Sequence, residues 1–128
     1  MPATYGRVRE ATNLNFQIME QINRIEIKGK IGNVRITDFE DGQSANLSVA
    51  TNYIYKSRDG NAVIETMWFN VCAWKGRNMP EDFKLLQKGK TVHVTGRMRE
   101  REFTGADGAV KKITEVIASR MEIVEDED

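Results

Sequence analysis

The strongest constraint on the fold is a period-two alternation of apolar and polar residues that recurs along the chain. In the first such segment, Ile25, Ile27 and Ile31 alternate with charged residues. Because successive residues of a β-strand point to opposite faces of a sheet, this pattern predicts a half-buried strand. Gly29 and Gly32 interrupt it, and glycine inside a strand often marks a bulge or a sharp bend. The segment is therefore predicted to curl, as the first strand of a small barrel does.

Four further segments have strand character, and Asp-Gly pairs lie in three of the intervening turns. The predicted strands are 23–39, 47–53, 65–74, 91–103 and 113–124.

One helix is predicted, over residues 78–87, between the third and fourth strands. Asn78 suits an N-cap and Pro80 an early helical position. Phe83 and Leu86 give the helix an apolar stripe. Five strands with a helix between the third and the fourth is the layout of the OB-fold, a five-stranded Greek-key barrel of the all-β class.

The 128 residues are expected to form one domain, over residues 23–124. Residues 1–22 form an N-terminal extension that we interpret as an additional edge strand, with a helical face as the alternative. Residues 125–128 form a short acidic tail. No apolar run is long enough to cross a bilayer, and the first residues do not resemble a signal peptide. We therefore expect a cytoplasmic protein without membrane contact.

Few residues suit catalysis. Cys72 is the one cysteine and His93 the one histidine, which argues against an internal disulfide and against an intrachain Cys/His zinc site. No carboxylate pair, metal-ligand cluster or phosphate-binding loop occurs at a usable spacing. The sequence thus predicts a protein that is not an enzyme and that needs neither metal nor cofactor.

The net charge of zero conceals an uneven distribution. Five acidic residues lie within 122–128, and the rest of the chain carries 19 basic and 14 acidic residues, a net charge of +5. A net charge of zero argues against a nucleic-acid binder, but a basic body with an acidic terminus removes that argument. The alternative interpretation is an ordinary solvated chain end.

One face of the fourth strand is strongly basic. Arg97, Arg99 and Arg101 recur at period two and are followed by Phe103. Guanidinium groups match the geometry of phosphate and also stack on bases. The alternative is a solvated face whose arginines form cross-strand ion pairs.

The third strand predicts an aromatic face. Trp68 and Trp74 share their parity with the polar Asn70, opposite Val71 and Ala73, so we assign the tryptophans to the outer face. Exposed tryptophans usually mark a binding surface, and a base stacked on an aromatic ring gains about 1–3 kcal/mol whatever its identity. The alternative is that both rings lie in the core.

Aromatic and basic residues also alternate near the end of the second strand, where Tyr53 and Tyr55 precede the polar loop 56–62. Single-strand binders combine charge for the phosphates with flat rings for the bases. The predicted phosphate contacts are Lys56, Arg58, Lys75, Arg77, Arg97, Arg99 and Arg101.

Several segments, in order and at consistent spacing, resemble the bacterial single-stranded DNA-binding protein family. They are Leu47-Ser48-Val49-Ala50-Thr51, Glu65-Thr66-Met67-Trp68-Phe69-Asn70-Val71, Leu86-Gln87-Lys88-Gly89 followed by Val92-His93-Val94-Thr95-Gly96-Arg97, and Thr114-Glu115-Val116. The resemblance implies an OB-fold, sequence-independent binding of single-stranded DNA in replication, recombination or repair, and a homotetramer. Carried over by position, the family's base-stacking aromatics fall on Tyr55, Trp68, Trp74 and Phe103.

The chain departs from the family at three places. Residues 1–22 have no counterpart in the family. The resemblance also implies a flexible linker and a hydrophobic tip that recruit replication and repair proteins, but residues 125–128 match neither, so the sequence does not predict this recruitment. Phe69 stands where the family often has a polar residue at a subunit contact, so a dimer is the alternative to a tetramer. Two other functions stay open: a primosome-type protein-interaction module with weak affinity for single-stranded DNA, and an RNA-binding OB domain.

Overall fold

The computed structural model describes residues 20–125, which form a closed barrel in the strand order β1-β2-β3-β5-β4. This confirms the predicted all-β, five-stranded OB-fold. The proposed edge strand within residues 1–22 and the tip of the acidic tail lie almost entirely outside the described residues, and residues 20–24 have no regular secondary structure. The strands are β1 (Ile25–Phe39), β2 (Gly42–Lys56), β3 (Ala62–Trp74), β4 (Thr91–Thr104) and β5 (Val110–Val124).

Strand β1 closes the barrel because it bends and pairs on both sides. Its first part, up to Lys30, pairs with β4, and its second part pairs with β2. The bend falls at the two glycines that interrupt the alternation in the sequence. A side chain at Gly29 would place its Cβ 2.1 Å from the carbonyl oxygen of Ala50, so only glycine permits this approach.

The core consists of the inward-facing residues of all five strands, together with Phe83 and Leu86 from the segment between β3 and β4. In β5 the inward set changes parity, since Val116 and Met121 are both buried. A bulge opposite Thr95 and Gly96 accounts for this change. The fully buried side chains of largest volume are Phe83, Met121, Val49, Val71, Val92, Val94 and Val116.

The predicted helix over residues 78–87 is wrong in extent and in its cap. Only a single 3-10 turn forms, Phe83–Leu85, and the Asp82 side chain caps it by accepting a hydrogen bond from the Lys84 amide at 2.9 Å. Asn78 instead adopts a left-handed conformation with φ of 70°. Pro80 also disfavours a helical conformation at the residue before it. The burial of Phe83 and Leu86 is as predicted.

Strand β2 begins earlier than predicted because its residues 42–46 pair with β1. Strands β2, β3 and β5 also continue beyond their predicted bounds into two hairpins that project from the barrel. We call residues 51–68 the β2–β3 arm and residues 99–115 the β4–β5 arm. Strands β3 and β5 run parallel and pair at Val71–Val116 and Cys72–Ile117, so both arms leave the barrel on the same side of these pairs. Both faces of each arm are largely exposed. The core-facing alternation that marks a strand in the sequence is therefore lost there.

Candidate nucleic-acid interface

The outer face of β3 carries the two tryptophans. Trp68 is 58% exposed and Trp74 57%, whereas Val71 and Ala73 on the other face are buried. The predicted outward orientation is confirmed. The two tryptophans are six positions apart in β3, so their Cα atoms are separated by about 20 Å along the strand. Two large aromatic surfaces are thus available on one side of the sheet.

Neighbouring residues of β1 support both rings. The Trp68 indole lies over Gly32, where a Cβ would approach the ring to 2.5 Å. The Trp74 ring packs against Phe39, with 5.3 Å between centroids and 36° between planes. Phe39, which is 48% exposed, was not predicted as a site residue, although the alternation of β1 reaches it. The exposed aromatic surface therefore includes a third ring, that of Phe39, beside those of Trp68 and Trp74.

The basic face of β4 also points outward. Arg97, Arg99 and Arg101 are exposed, and Phe103, further along the β4–β5 arm, is 41% exposed. Strand β5 lies between β3 and β4 in the barrel, so the arginines and the tryptophans flank it on the outer surface. The structure thus places both predicted sets on one sheet face.

Glu115 of β5 holds two of these arginines. The Nε atoms of Arg99 and Arg101 each donate a hydrogen bond to Glu115 Oε2 at 3.0 Å, and a terminal nitrogen of Arg99 donates to the same oxygen. The Glu115 side chain is only 2% exposed. Burial raises the pKa of this carboxyl, but the hydrogen bonds from Arg99 and Arg101 outweigh burial and lower the pKa overall.

For Arg99 and Arg101, the cross-strand ion pairs considered as the alternative are therefore present. A guanidinium has five N–H donors, so each arginine keeps several for a further ligand. Arg97 has no ion-pair partner within residues 20–125. The sequence did not identify Glu115 as a site residue, since its contact with the arginines depends on the register between β4 and β5.

Cys72 lies beside this cluster and is partly buried. Its Sγ is 3.0 Å from Asn46 Oδ1 and 3.6 Å from Glu115 Oε1. Burial, followed by the nearby Glu115 charge, raises the pKa of the Cys72 thiol. The thiol is therefore kept protonated at neutral pH, which suits a structural donor better than a nucleophile.

A shallow groove runs across the outer sheet face at this level. Two adjoining cavities form it and share Asn46, Cys72, Arg101 and Glu115. Trp74 lines one cavity and Arg35 the other. Arg35 is exposed, pairs in register with Asn46, and was missed in the sequence although it shares its parity with Phe39 in β1. A single-stranded nucleic acid bound in the groove would contact Arg35 on the side of the groove opposite β4.

The predicted residues of the second strand are placed differently from expectation. Tyr55 and Lys56 lie in β2 rather than in a loop, and only Arg58 falls in the turn of the β2–β3 arm. By register, Lys56 shares the face of Trp68, whereas Tyr55 lies on the other face of the arm. The Tyr55 hydroxyl is 3.2 Å from Glu65 Oε2, and its ring lies 5.8 Å from that of Tyr53.

Lys75 and Arg77 follow β3 and leave the sheet. The Lys75 ammonium lies 5.9 Å from the centroid of the Phe83 ring, at the barrel end rather than in the groove. Arg77 is exposed in the connection that follows. The structure therefore does not bring these two residues to the groove.

The remaining candidate chemistry is sparse. His93 Nε2 lies 2.5 Å from Glu26 Oε2 on the outer face of β1 and β4, as expected for a histidine on a strand face. Within residues 20–125, no three or more His, Cys, Asp or Glu side chains are grouped as metal ligands would be. The same part of the chain contains no helix long and apolar enough to span a membrane.

A five-stranded OB-fold barrel with exposed aromatic rings and arginines on one sheet face has the architecture of a single-strand nucleic-acid binding domain. The chain belongs to the single-strand binding protein family, whose profile matches residues 22–124. This confirms the resemblance found in the sequence.

Curated relatives support the assignment. The chain is 32% identical over 105 residues to a single-stranded DNA-binding protein of Xanthomonas axonopodis pv. citri (strain 306), covering 80% of this chain and 58% of the relative. It is 30% identical over 110 residues to single-stranded DNA-binding protein 1 of Xylella fastidiosa (strain 9a5c), covering 83% and 79%. The chain spans about three fifths of the length of several relatives that it matches.

Solved structures show the same fold. A Plasmodium falciparum SSB complex with ssDNA superposes with a TM-score of 0.71 at 24% identity, covering 85% of this chain and 100% of that chain. A small single-stranded DNA-binding protein from Streptomyces coelicolor superposes with a TM-score of 0.64 at 21% identity, covering 83% and 96%.

Proposed function

We propose that this chain binds single-stranded DNA without sequence preference, across the outer sheet face that carries Trp68 and Trp74. The observation that supports this most directly is the exposure of both rings on the same side of the sheet as Arg97, Arg99 and Arg101. We assign the protein to protection of exposed strands in replication, recombination or repair, in the cytoplasm and at the nucleoid. Its role is binding rather than catalysis.

In this proposal the DNA bases stack on aromatic rings, and the DNA phosphates form ion pairs with arginines. Trp68 and Trp74 provide flat surfaces that accept any base, because every base has a π-face. The free guanidinium donors of Arg99 and Arg101, with Arg97 and the newly identified Arg35, would neutralise phosphates along the groove. Glu115 fixes two of these arginines before the strand arrives, which lowers the cost of ordering them on binding.

Tyr55 and Phe103 lie further towards the tips of the two arms than Trp68 and Arg101, and neither lines the groove. The strand would reach them only by continuing along the arms, and Tyr55 only by passing around the edge of the β2–β3 arm. Lys56 and Arg58 would accompany it there. We therefore assign the two tryptophans to the primary contact and Tyr55 and Phe103 to its extension. Lys75 and Arg77 lie outside the groove, so in this proposal they contribute least to the phosphate contacts.

We further propose a homo-oligomer, a tetramer in the first instance and a dimer as the alternative. Several grooves on one assembly raise the apparent affinity through effective concentration. Phe69, the position of the departure from the family, is partly buried and packs against the core. Light scattering on the purified chain distinguishes the two assemblies by mass.

The proposal is tested by fluorescence anisotropy of a labelled oligo-dT, with unlabelled RNA and duplex DNA as competitors. We expect tight binding to oligo-dT, weak competition by duplex DNA, and an affinity that falls as salt rises. Stronger competition by RNA would assign the groove to RNA instead. No binding at low salt would contradict the proposal and favour the protein-interaction module.

A further inference from the structure

A second basic site lies beyond the groove, where β5 bulges next to the start of β1. Here Arg24, Arg97 and Arg120 line one open cavity, which we call the arginine cavity. None of the described residues that line it is acidic. Arg97 also belongs to the basic face of β4, so the cavity adjoins the groove.

The bulge is the reason that Arg120 reaches this surface. Thr95 pairs with Arg120 but the next residue, Gly96, pairs with Ala118, which leaves Ser119 as the extra residue. The Ser119 hydroxyl donates a hydrogen bond of 3.1 Å to the Thr95 carbonyl. A bulge shifts the parity of the strand that carries it. Arg120 therefore faces outward, whereas continued alternation from the outward-facing Ile117 would have turned it inward.

Arg24 is positioned by its neighbour. The Asn23 side chain donates to the Met98 carbonyl at 2.8 Å and accepts from the Met98 amide at 3.0 Å. These two bonds act as one more rung of the β1–β4 ladder, which begins at Ile25–Gly96. They fix the backbone on the N-terminal side of β1 so that Arg24 lies next to Arg97.

The charge of the cavity is only partly compensated. Arg120 is 3.0 Å from Glu122, and Glu26, which pairs in register with Thr95, is engaged by His93. Arg24 and Arg97 have no ion-pair partner within residues 20–125. Guanidinium groups placed together repel one another, and an anion that accepts from more than one of them relieves this repulsion.

We infer that the arginine cavity binds a phosphodiester of the DNA strand that leaves the groove past Arg97. This inference rests on the proposed function, because the ligand is the same strand. A phosphodiester fits because it offers oxygen acceptors to guanidinium donors and recurs at every nucleotide. The DNA footprint therefore continues from the face of β3, β5 and β4 to the β1 side of the barrel.

The test compares two oligo-dT lengths, about 5 and about 30 nucleotides, since OB-folds contact roughly 4–16 nucleotides each. The variant is Arg24→Gln with Arg120→Gln, which leaves the groove arginines in place. We expect unchanged affinity for the short oligonucleotide. For the long one we expect roughly tenfold weaker binding near 0.1 M salt, and a slope of log K against log salt shallower by about 1.4.

A matched control is Lys84→Gln with Lys88→Gln, which removes two exposed charges from the segment between β3 and β4. For the long oligonucleotide, the slope of this control should be closer to that of the unmodified chain than the slope of the double arginine variant is. The charge-retaining Arg24→Lys with Arg120→Lys should keep most of the salt dependence. If the double variant unfolds by circular dichroism, Arg24→Gln alone provides the test, with about half the change in slope.

The outcomes separate this inference from the proposed function. Loss confined to the long oligonucleotide supports the arginine cavity. Unchanged binding of the long oligonucleotide, or a loss matched by the lysine control, overturns it while the groove stands. If the unmodified chain binds neither oligonucleotide at low salt, both this inference and the proposed function fail.

Discussion

The β2–β3 arm and the β4–β5 arm leave the barrel on the same side, but their exposed side chains differ in kind. The first presents large apolar and aromatic residues, among them Ile54, Ile64 and Trp68, which are 64%, 63% and 58% exposed. The second presents alternating charges, and the buried Glu115 joins Arg99 to Arg101 at its base. In the proposed binding mode, the first hairpin contributes mainly surfaces for bases and the second mainly charges for phosphates.

Under the proposed function, this difference would explain how a small barrel binds a polymer without reading its sequence. Stacking tolerates any base, and phosphate contacts ignore sequence altogether, so together they give binding without sequence preference. Each arm supplies mainly one of these contributions, although Lys56 and Arg58 lie on the β2–β3 arm and Phe103 on the β4–β5 arm. Variants that remove aromatic rings and variants that remove charges should therefore change different properties of binding.

The largest expected effect comes from removing the rings of the aromatic side. Trp68→Ala with Trp74→Ala should weaken binding to oligo-dT by about 5-fold to 150-fold for each ring, because each stacked base contributes about 1–3 kcal/mol. Fluorescence anisotropy measures the loss. Leu85→Ala is the control, since Leu85 is equally exposed, at 53%, but lies in the 3-10 helix Phe83–Leu85. Equal losses in the two proteins would count against the aromatic face.

In the β4–β5 arm, Glu115→Gln tests how much the ion pairs of Arg99 and Arg101 with this buried carboxylate contribute to stability. We expect a loss of about 1–2 kcal/mol in the free energy of unfolding at neutral pH, since charged hydrogen bonds are replaced by neutral ones and both guanidiniums are partly exposed. Denaturant titration followed by circular dichroism measures this change.

The pH dependence of that difference has a defined sign. The folded-state pKa of Glu115 lies below its usual value of 4.5, so its contribution is complete above that pH and is lost as the pH falls through the lowered folded-state pKa. The unmodified protein and the glutamine variant should therefore converge in stability in acid. A difference that persists unchanged below that range would contradict the ion-pair assignment.

A smaller effect is expected from Arg35 and Arg97, which have no carboxylate partner among residues 20–125. Arg35→Gln with Arg97→Gln should reduce the slope of log K against log salt by roughly 0.7 for each phosphate contact, with little change in the stacking contribution. Salt titrations with oligo-dT measure the slope, and Lys84→Gln with Lys88→Gln is again the control. A loss of affinity that did not depend on salt would place these arginines outside the phosphate path.

The smallest effect tests the support beneath one ring. Gly32→Ala should displace the Trp68 indole, because the new Cβ would approach it to 2.5 Å. We expect a shift in tryptophan emission and a loss in affinity below about tenfold, or about 1.4 kcal/mol. An unshifted emission spectrum with unchanged affinity would mean that the ring does not rest on Gly32 in solution.

Much of the fold and of the aromatic face could be predicted because both depend on local alternation. The orientation of Trp68 and Trp74 follows from the parity of β3 alone, since Val71 and Ala73 must enter the core. The helix prediction failed because capping signals are local as well, whereas the Asn78 carbonyl accepts a hydrogen bond from the distant Met121 amide at 2.9 Å.

The contacts of Glu115 and Arg120 could not be predicted, because both depend on the register between β4 and β5. A single extra residue at Ser119 changes which side chains of β5 face outward after Ala118. The sequence contains no local pattern that locates this bulge. Arg35 could have been found, since it shares a face with Phe39 in β1 and needs only the parity of that strand.

The most direct test of the central claim is intrinsic tryptophan fluorescence during titration with oligo-dT, repeated at several salt concentrations. Both tryptophans of the chain lie on the proposed contact surface, so the signal reports on that surface alone. Strong quenching whose midpoint shifts to higher DNA concentration as salt rises is the expected result. Binding by anisotropy without any quenching would contradict the account, because the strand would then lie on another surface.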